Sequence, residues 1–170
     1  MAEPDPSPAP DGVVLRDVTE ADLSILFEHQ NDPVANRMAA VAARDREAFL
    51  AHWATILADP TVKTQTVLVG GVVAGNVVSW DGKGERLTGY WIGREHWGRG
   101  VATRALAAFL SYDTARPLHA RVAKHNLGSQ RVLEKCGFTI IGKGVVPADT
   151  TGGEPIEEYL FSLEASRAPS

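Results

Sequence analysis

Residues 92–106, IGREHWGRGVATRAL, gather Gly93, Gly98 and Gly100 with Arg94, Arg99, Arg104, His96 and Trp97. An apolar run precedes this stretch and a helix-like pattern follows it, so the glycines sit where a strand gives way to a helix. Unpaired N–H groups at a helix start point outward, and the helix dipole is positive there. Missing side chains let an anionic group approach that backbone closely, and the arginines add charge. The chemistry on offer is phosphate or pyrophosphate binding. Two well-known cradles do not fit: Gly98-x-Gly100-x-x-Thr103 lacks the third glycine of the dinucleotide fingerprint, and no Gly-Lys-Ser/Thr occurs. On residue types alone, a glycine-rich tight turn rimmed by solvated arginines explains the stretch about as well.

The chain around this junction is of ordinary composition. At 170 residues it fits one domain with a full core. Charged residues make up 22% and apolar residues 44%, as in soluble globular proteins. A net charge of −4 gives no support to a nucleic-acid partner. The single cysteine, Cys136, excludes an internal disulfide and reads as a small buried hydrophobe; no Cys/His cluster has zinc spacing, so no metal is expected. No apolar run approaches the roughly 20 residues that span a bilayer. Residues 1–12 carry four prolines in the first ten positions and read as a flexible tail, not a signal peptide. One domain over 13–164, a closing tail over 165–170 and a cytoplasmic location are expected.

The elements that must position the junction follow from local pattern. Val13 to Arg16 reads as a strand, and Thr19 as the cap of a helix that ends before Asp32-Pro33. A second helix is expected from about Arg44 to Ala58, with Ala48, Phe49, His52, Trp53 and Ile56 on one stripe. TQTVLVGGVVAGNVVSW reads as a hairpin turning at Gly70-Gly71, with a bulge at Gly75-Asn76. DGKGE makes the next turn, and a fourth strand covers Arg86 to Ile92. The junction then feeds a helix from Val101 to Tyr112, burying Val101, Ala105, Phe109 and Tyr112. A fifth strand spans Pro117 to Ala123, and a helix capped by Asn126 closes at Gly137. Phe138 to Lys143 and IEEYLFSLE are the last strands, joined by a turn-rich loop. Strands and helices mix without strict alternation, so the expected class is α+β with a mixed, mostly antiparallel sheet.

GYWIGREHWGRGVATRAL followed by RVAKHNLGSQRVLEKCGF resembles the GNAT superfamily of acyl-CoA-dependent N-acyltransferases. The resemblance covers most of the chain and rests on two motifs in order, about 30 residues apart. The family's loop pattern, Gln/Arg-x-x-Gly-x-Gly/Ala, matches Trp97 to Ala102 except at Trp97. That version is similar to the branch containing ribosomal-protein N-terminal acetyltransferases and some antibiotic acetyltransferases.

The resemblance implies that the fourth and fifth strands splay apart around the pantetheine arm of acetyl-CoA, a co-substrate. The arm would pair with backbone of Tyr90, Trp91, Ile92 and Gly93, and the pyrophosphate would sit on Trp97, Gly98, Arg99, Gly100, Val101 and Ala102. Arg94 and Thr103 flank this seat, and Asn126 and Ser129 complete it. A neutral amine would attack the thioester carbonyl directly, with an oxyanion donor near Ile92. Many relatives carry a Tyr acid where this chain has Leu133, so Ser129 is the expected substitute; a local hydrogen bond in the first helical turn would explain Ser129 equally. Asn126 combines a cap with a contact to the pantetheine arm or the acceptor, and the cap alone would account for it. The carboxylate common in relatives falls on Leu87, leaving Glu85, two residues back on the same strand face, as the candidate base or a solvated turn residue.

His29, His52, His96, His119 and His125 are weaker candidates, and Trp53, Trp80 and Tyr90 serve a cleft or a core. Glu154, Glu157 and Glu158 read as a solvated face or as an attraction for a cationic amine. The donor could be another acyl-CoA, such as succinyl-CoA, or the domain a non-catalytic acyl-CoA-binding module. The acceptor is an amine of unread identity, no nucleic acid or membrane is expected, and a homodimer would be ordinary for such folds.

Overall fold

Short acidic side chains set where the helices begin. The computed structural model describes residues 12–165, so the expected tails, 1–12 and 165–170, lie outside the described residues apart from Gly12 and Ala165. After β1 (Val13–Arg16), Thr19 opens a 3-10 turn, Glu20–Asp22, that leads into α1 (Leu23–Gln30). Asp32 then accepts from the Val34 amide at 3.0 Å, and Pro33 takes the first helical position, where a missing N–H costs nothing. Together they start α2 (Pro33–Ala39), a helix absent from the sequence reading. Asp32-Pro33 stops one helix and starts the next. Asp45 caps α3 (Arg46–Ala58), accepting from Ala48 N at 2.7 Å. Phe49 and Trp53 of α3 are buried, whereas Ala48 and His52 of the expected stripe face solvent.

Two tight turns fold the middle of the chain into a meander. Gly70-Gly71 and Lys83-Gly84 all have positive φ, the backbone that a two-residue hairpin turn demands. They join β2 (Lys63–Val69), β3 (Val72–Gly82) and β4 (Glu85–Ile92). The expected bulge is present but centred on Ala74, since Val67 pairs with Gly75 and Leu68 with Val73. A Cβ on Gly75 would collide with the Trp91 carbonyl oxygen, so only glycine fits there.

The second half contributes α4 (Val101–Tyr112), β5 (Leu118–Ala123), α5 (Leu127–Lys135), β6 (Thr139–Val146), the single-turn α6 (Ala148–Thr151) and β7 (Ile156–Leu163). The seven strands form one sheet in the order β1-β2-β3-β4-β5-β7-β6. It is antiparallel except between β4 and β5. This is the expected α+β architecture. On one face, Val67, Val77 and Ile92 pack with Ala105 and Phe109 of α4 and Leu133 of α5; on the other, Leu23 and Leu26 meet Phe49 and Trp53. Tyr112, expected to be buried, is 41% exposed. The helix ends there, Leu106 fills the core instead, and Asp113 turns inward behind Tyr112.

β4 pairs with β3 along its full length but with β5 only at Leu87–His119. A buried polar group pins this closed end. Asp113 accepts from the Ser79 hydroxyl and from Arg86 Nε at 3.1 Å, linking the end of α4 to β3 and β4. Burial pushes the Asp113 pKa up, but the Ser79 hydroxyl, the Ala115 amide and Arg86 together hold it below the ordinary carboxylate value.

A second network ties β1 to the start of α1. Asp22 receives a two-pronged contact from Arg16 at 2.7 and 2.8 Å, the Thr66 hydroxyl at 2.8 Å and the Thr19 amide at 2.9 Å. The Arg16 hydrogen bonds are the main reason its pKa is held well below the carboxylate range. A depressed folded-state pKa contributes stability above the unfolded value, near 4, that is lost as pH falls. Asp22→Asn should therefore cost about 2 kcal/mol at neutral pH and flatten the acid limb of stability. Urea unfolding at pH 7 and pH 3 checks both.

Candidate active site

Past Leu87, the divergence of β4 and β5 opens a cavity of about 700 Å³, within the range of small-molecule sites. Thr88–Ile92 and Ala120–Val122 form its walls, the starts of α4 and α5 close one end, and α2 borders the other. Alternate strand residues direct their N–H and C=O groups to opposite neighbours. The β4 groups turned away from β3 therefore face the gap, with no further ladder pair to β5 among the described residues. A linear ligand with amide groups could take that strand's place.

The loop from 93 to 100 folds back on the strand that launches it. The Trp97 indole donates to the Ile92 carbonyl at 2.8 Å, so the departure from the usual loop residue has a structural role. Gly98 and Gly100 have φ of 76° and 74°, and a Cβ on either would meet nothing within 4 Å. Their requirement is conformational, a left-handed backbone. Gly100 caps α4, and the first helical bond runs from Arg104 N to Gly100 O at 3.1 Å. The amides of Val101, Ala102 and Thr103 precede it and have no helical partner. All three residues line the cavity, so an anion placed there meets free amides and the positive end of the helix dipole.

The arginines are arranged differently from the expectation. Arg94 lies outside the cavity wall, bound to Asp32 at 3.0 Å, so it ties the loop to α2. Arg99 is exposed and also outside the wall. Cations come instead from Arg121 of β5 and from α5, whose Arg131 and Lys135 line the cavity. Their four-residue spacing puts them on one helix face, a signal that sequence reading passed over. Gly93, expected to bind the ligand, has its amide occupied by Ala74 O at 2.8 Å. Its φ of −57° is ordinary, but a Cβ would stand 2.6 Å from the His29 ring. Gly93 is required for the packing of α1 on the end of β4. The Trp91 indole strengthens that contact by donating to the His29 carbonyl at 3.0 Å.

At the start of α5, Asn126 accepts from the Ser129 amide at 3.1 Å and so caps the helix. That bond aims Ser129 into the cavity, where its Oγ lies 2.6 Å from the Tyr90 hydroxyl. Burial pushes the Tyr90 phenol up to about 12, against the opposing effect of the Ser129 hydrogen bond. Sequence reading placed Tyr90 and Ser129 at the site separately and missed their contact. Leu133 is buried in the core beside them. Glu85 is not brought to this group: it lies at the outer end of β4, 3.9 Å from Arg121 and outside the cavity lining.

The remaining candidates divide between cavity and scaffold. His96 lines the cavity; His125 does too, and its Nε2 bonds the Arg37 carbonyl at 2.8 Å, fastening α2 over the opening. Trp53 is core, and His119 faces Leu87 across the closed end. Glu157 and Glu158 are paired with Lys124 and Arg121 at 3.2 and 3.1 Å, so neither is a free attraction for a cation. Among the described residues, no three His, Cys, Asp or Glu side chains are grouped to hold a metal ion.

Residues 13–139 match the family described as Acetyltransferase (GNAT) domain. The chain belongs to the GNAT acetyltransferase family. No curated protein matches its sequence, but solved structures share its fold. One is spermidine N-acetyltransferase from Vibrio cholerae in complex with CoA and spermine, at TM-score 0.77 and 17% identity over 89% of this chain and 95% of that one. Another is an N-acetyltransferase from Staphylococcus aureus Mu50, at TM-score 0.76 and 16% identity over 89% and 98%. A third is yncA from Salmonella typhimurium with its cofactor acetyl-CoA, at TM-score 0.73 and 17% identity over 93% and 96%. No helix among the described residues is long and apolar enough to cross a membrane.

The two glycine roles in this GNAT domain are separable. Gly100→Ala should cost about 1 kcal/mol, a conformational effect with no clash. Gly93→Ala should cost more, about 2 kcal/mol, because the His29 ring must move. Chemical denaturation of the two variants gives the order, and a reversal would contradict these assignments.

Proposed function

We propose that this GNAT domain moves the acetyl group of acetyl-CoA to a primary amine by direct attack in a ternary complex. The reading is carried by one observation: one cavity is lined by the start of α4, by β4 backbone without a ladder partner in β5, and by Ser129. Pyrophosphate fits the amides of Val101–Thr103 with Arg131 and Lys135 at the rim, and the pantetheine amides fit the open edge of β4. A backbone N–H near Ile92 would face the oxyanion. The amine nitrogen bonds to the acetyl carbon as the carbon–sulfur bond breaks. The departing sulfur takes the Ser129 proton, the serine oxygen recovers one, ultimately from solvent, and the ammonium proton of the acceptor leaves to water.

Water is the base in this scheme, because Glu85 lies outside the cavity lining. That arrangement favours an acceptor with an appreciable neutral fraction. An α-amine, with a pKa near 8, has far more than a lysine side chain near 10.4. Protein N-termini and small α-amines are thus the leading acceptors.

A CoA-release assay with acetyl-CoA across a panel of peptides, amino acids, polyamines and aminoglycosides tests the reading. Turnover with an α-amine is expected, and Ser129→Ala should lower it by about 10²–10⁴-fold. Tight acetyl-CoA binding with no turnover of any amine would leave a binding module instead. Preference for succinyl-CoA would correct the donor.

A further inference from the structure

The 2.6 Å contact between Tyr90 and Ser129 joins a strand and a helix across the cavity wall. Either oxygen could donate on geometry alone, but chemistry orders the pair. A phenol is a far stronger acid than an aliphatic alcohol, so the better donor is Tyr90 and the better acceptor Ser129 Oγ. Once the Tyr90 hydrogen occupies the line between the oxygens, the Ser129 hydrogen must point elsewhere. Tyr90 is the one hydrogen-bond partner of Ser129 Oγ among the described residues, and Ser129 lines the cavity, so the cavity is an open direction for its hydrogen.

We propose that Tyr90 is a positioning residue for acyl transfer: its phenol donates to Ser129 Oγ and so turns the Ser129 hydrogen toward the departing sulfur. The proposal rests on the cavity being the acyl-CoA seat. As Ser129 gives its proton to sulfur, its oxygen takes the phenol's proton along the 2.6 Å hydrogen bond, and the Tyr90 oxygen recovers one from solvent. The phenol also stabilises the serine oxygen as negative charge passes through it. Burial keeps the phenol protonated across the working pH range, with a pKa near 12. The pair supplies what Leu133, an apolar side chain in the core, lacks.

The test reads the thiol of bound CoA, which needs no acceptor. A hydrogen turned toward sulfur favours thiolate, so the protein should lower the thiol pKa relative to free CoA. Thiolate absorbance is followed against pH for the wild type, Tyr90→Phe, Ser129→Ala and the double variant, with desulfo-CoA as blank. His96, Arg121, His125, Arg131 and Lys135 also face the cavity and Cys136 sits beside Tyr90; they are common to all four proteins. Tyr90→Phe should raise the bound thiol pKa by roughly one unit, a tenfold loss of thiolate. Ser129→Ala should raise it at least as far, and the double variant no further.

A Tyr90→Phe titration within twofold of wild type, or effects that add, would overturn the proposal. So would loss of CoA affinity in Tyr90→Phe by calorimetry, which would make Tyr90 a structural residue. If the wild type binds no CoA, the acyl-CoA reading itself falls and this inference with it. Binding without a Tyr90 effect sinks this inference alone.

Discussion

The fold depends on a pairing that stops. β4 and β5 are parallel neighbours that share one ladder pair, Leu87–His119, and then separate. An unpaired stretch of strand inside a sheet is costly unless something else meets its backbone groups. The separation is held from its closed end, where Arg86, Ser79 and Asp113 fix β4 and the end of α4 together. It is held from the open end by the Trp97 indole on the Ile92 carbonyl and the Gly93 amide on Ala74. Between these two anchors the β4 edge has no further ladder pair to β5 and lines the cavity.

The proposed function follows from what the two ends of the cavity present. At one end, left-handed glycines lead into Val101–Thr103, whose amides have no helical partner and which line the cavity. Arg131 and Lys135 add charge from a second helix. At the other, α2 is fastened by His125 and Arg94, which join it to β5–α5 and to the glycine loop. The Ser129–Tyr90 pair lies on the wall between them. Helix-start amides with two cations at one end, hydroxyls midway and α2 bordering the other end are the polarity on which the proposed donor-to-acceptor direction rests.

Much of this scaffold was legible in the residues. Turn pairs such as Gly70-Gly71 specify their own backbone, and α4 and the Asn126 cap follow from periodicity and side-chain chemistry that act within a few residues. The misses share a different origin. Asp32-Pro33 carries both a stop and a start, and only the tertiary position of α2 reveals the second. Gly93 reads as ligand-binding because the His29 ring that excludes its Cβ lies on another element. Glu85 fits the strand-face rule, but it is the first residue of β4, beyond the Leu87–His119 pair and outside the cavity lining. Tyr90 and Ser129 lie 39 residues apart, and no local pattern announces their contact. Local rules found the elements; side-chain meetings across the sheet decided the roles.

The central claim is that the gap between β4 and β5 is the seat of acetyl-CoA. Amide hydrogen exchange with and without acetyl-CoA tests it residue by residue. The account predicts slowed exchange within Thr88–Ile92 and at Val101–Thr103, with the β6–β7 pair unchanged. Unaltered exchange in both segments at saturating acetyl-CoA, or protection confined to another surface, would contradict it.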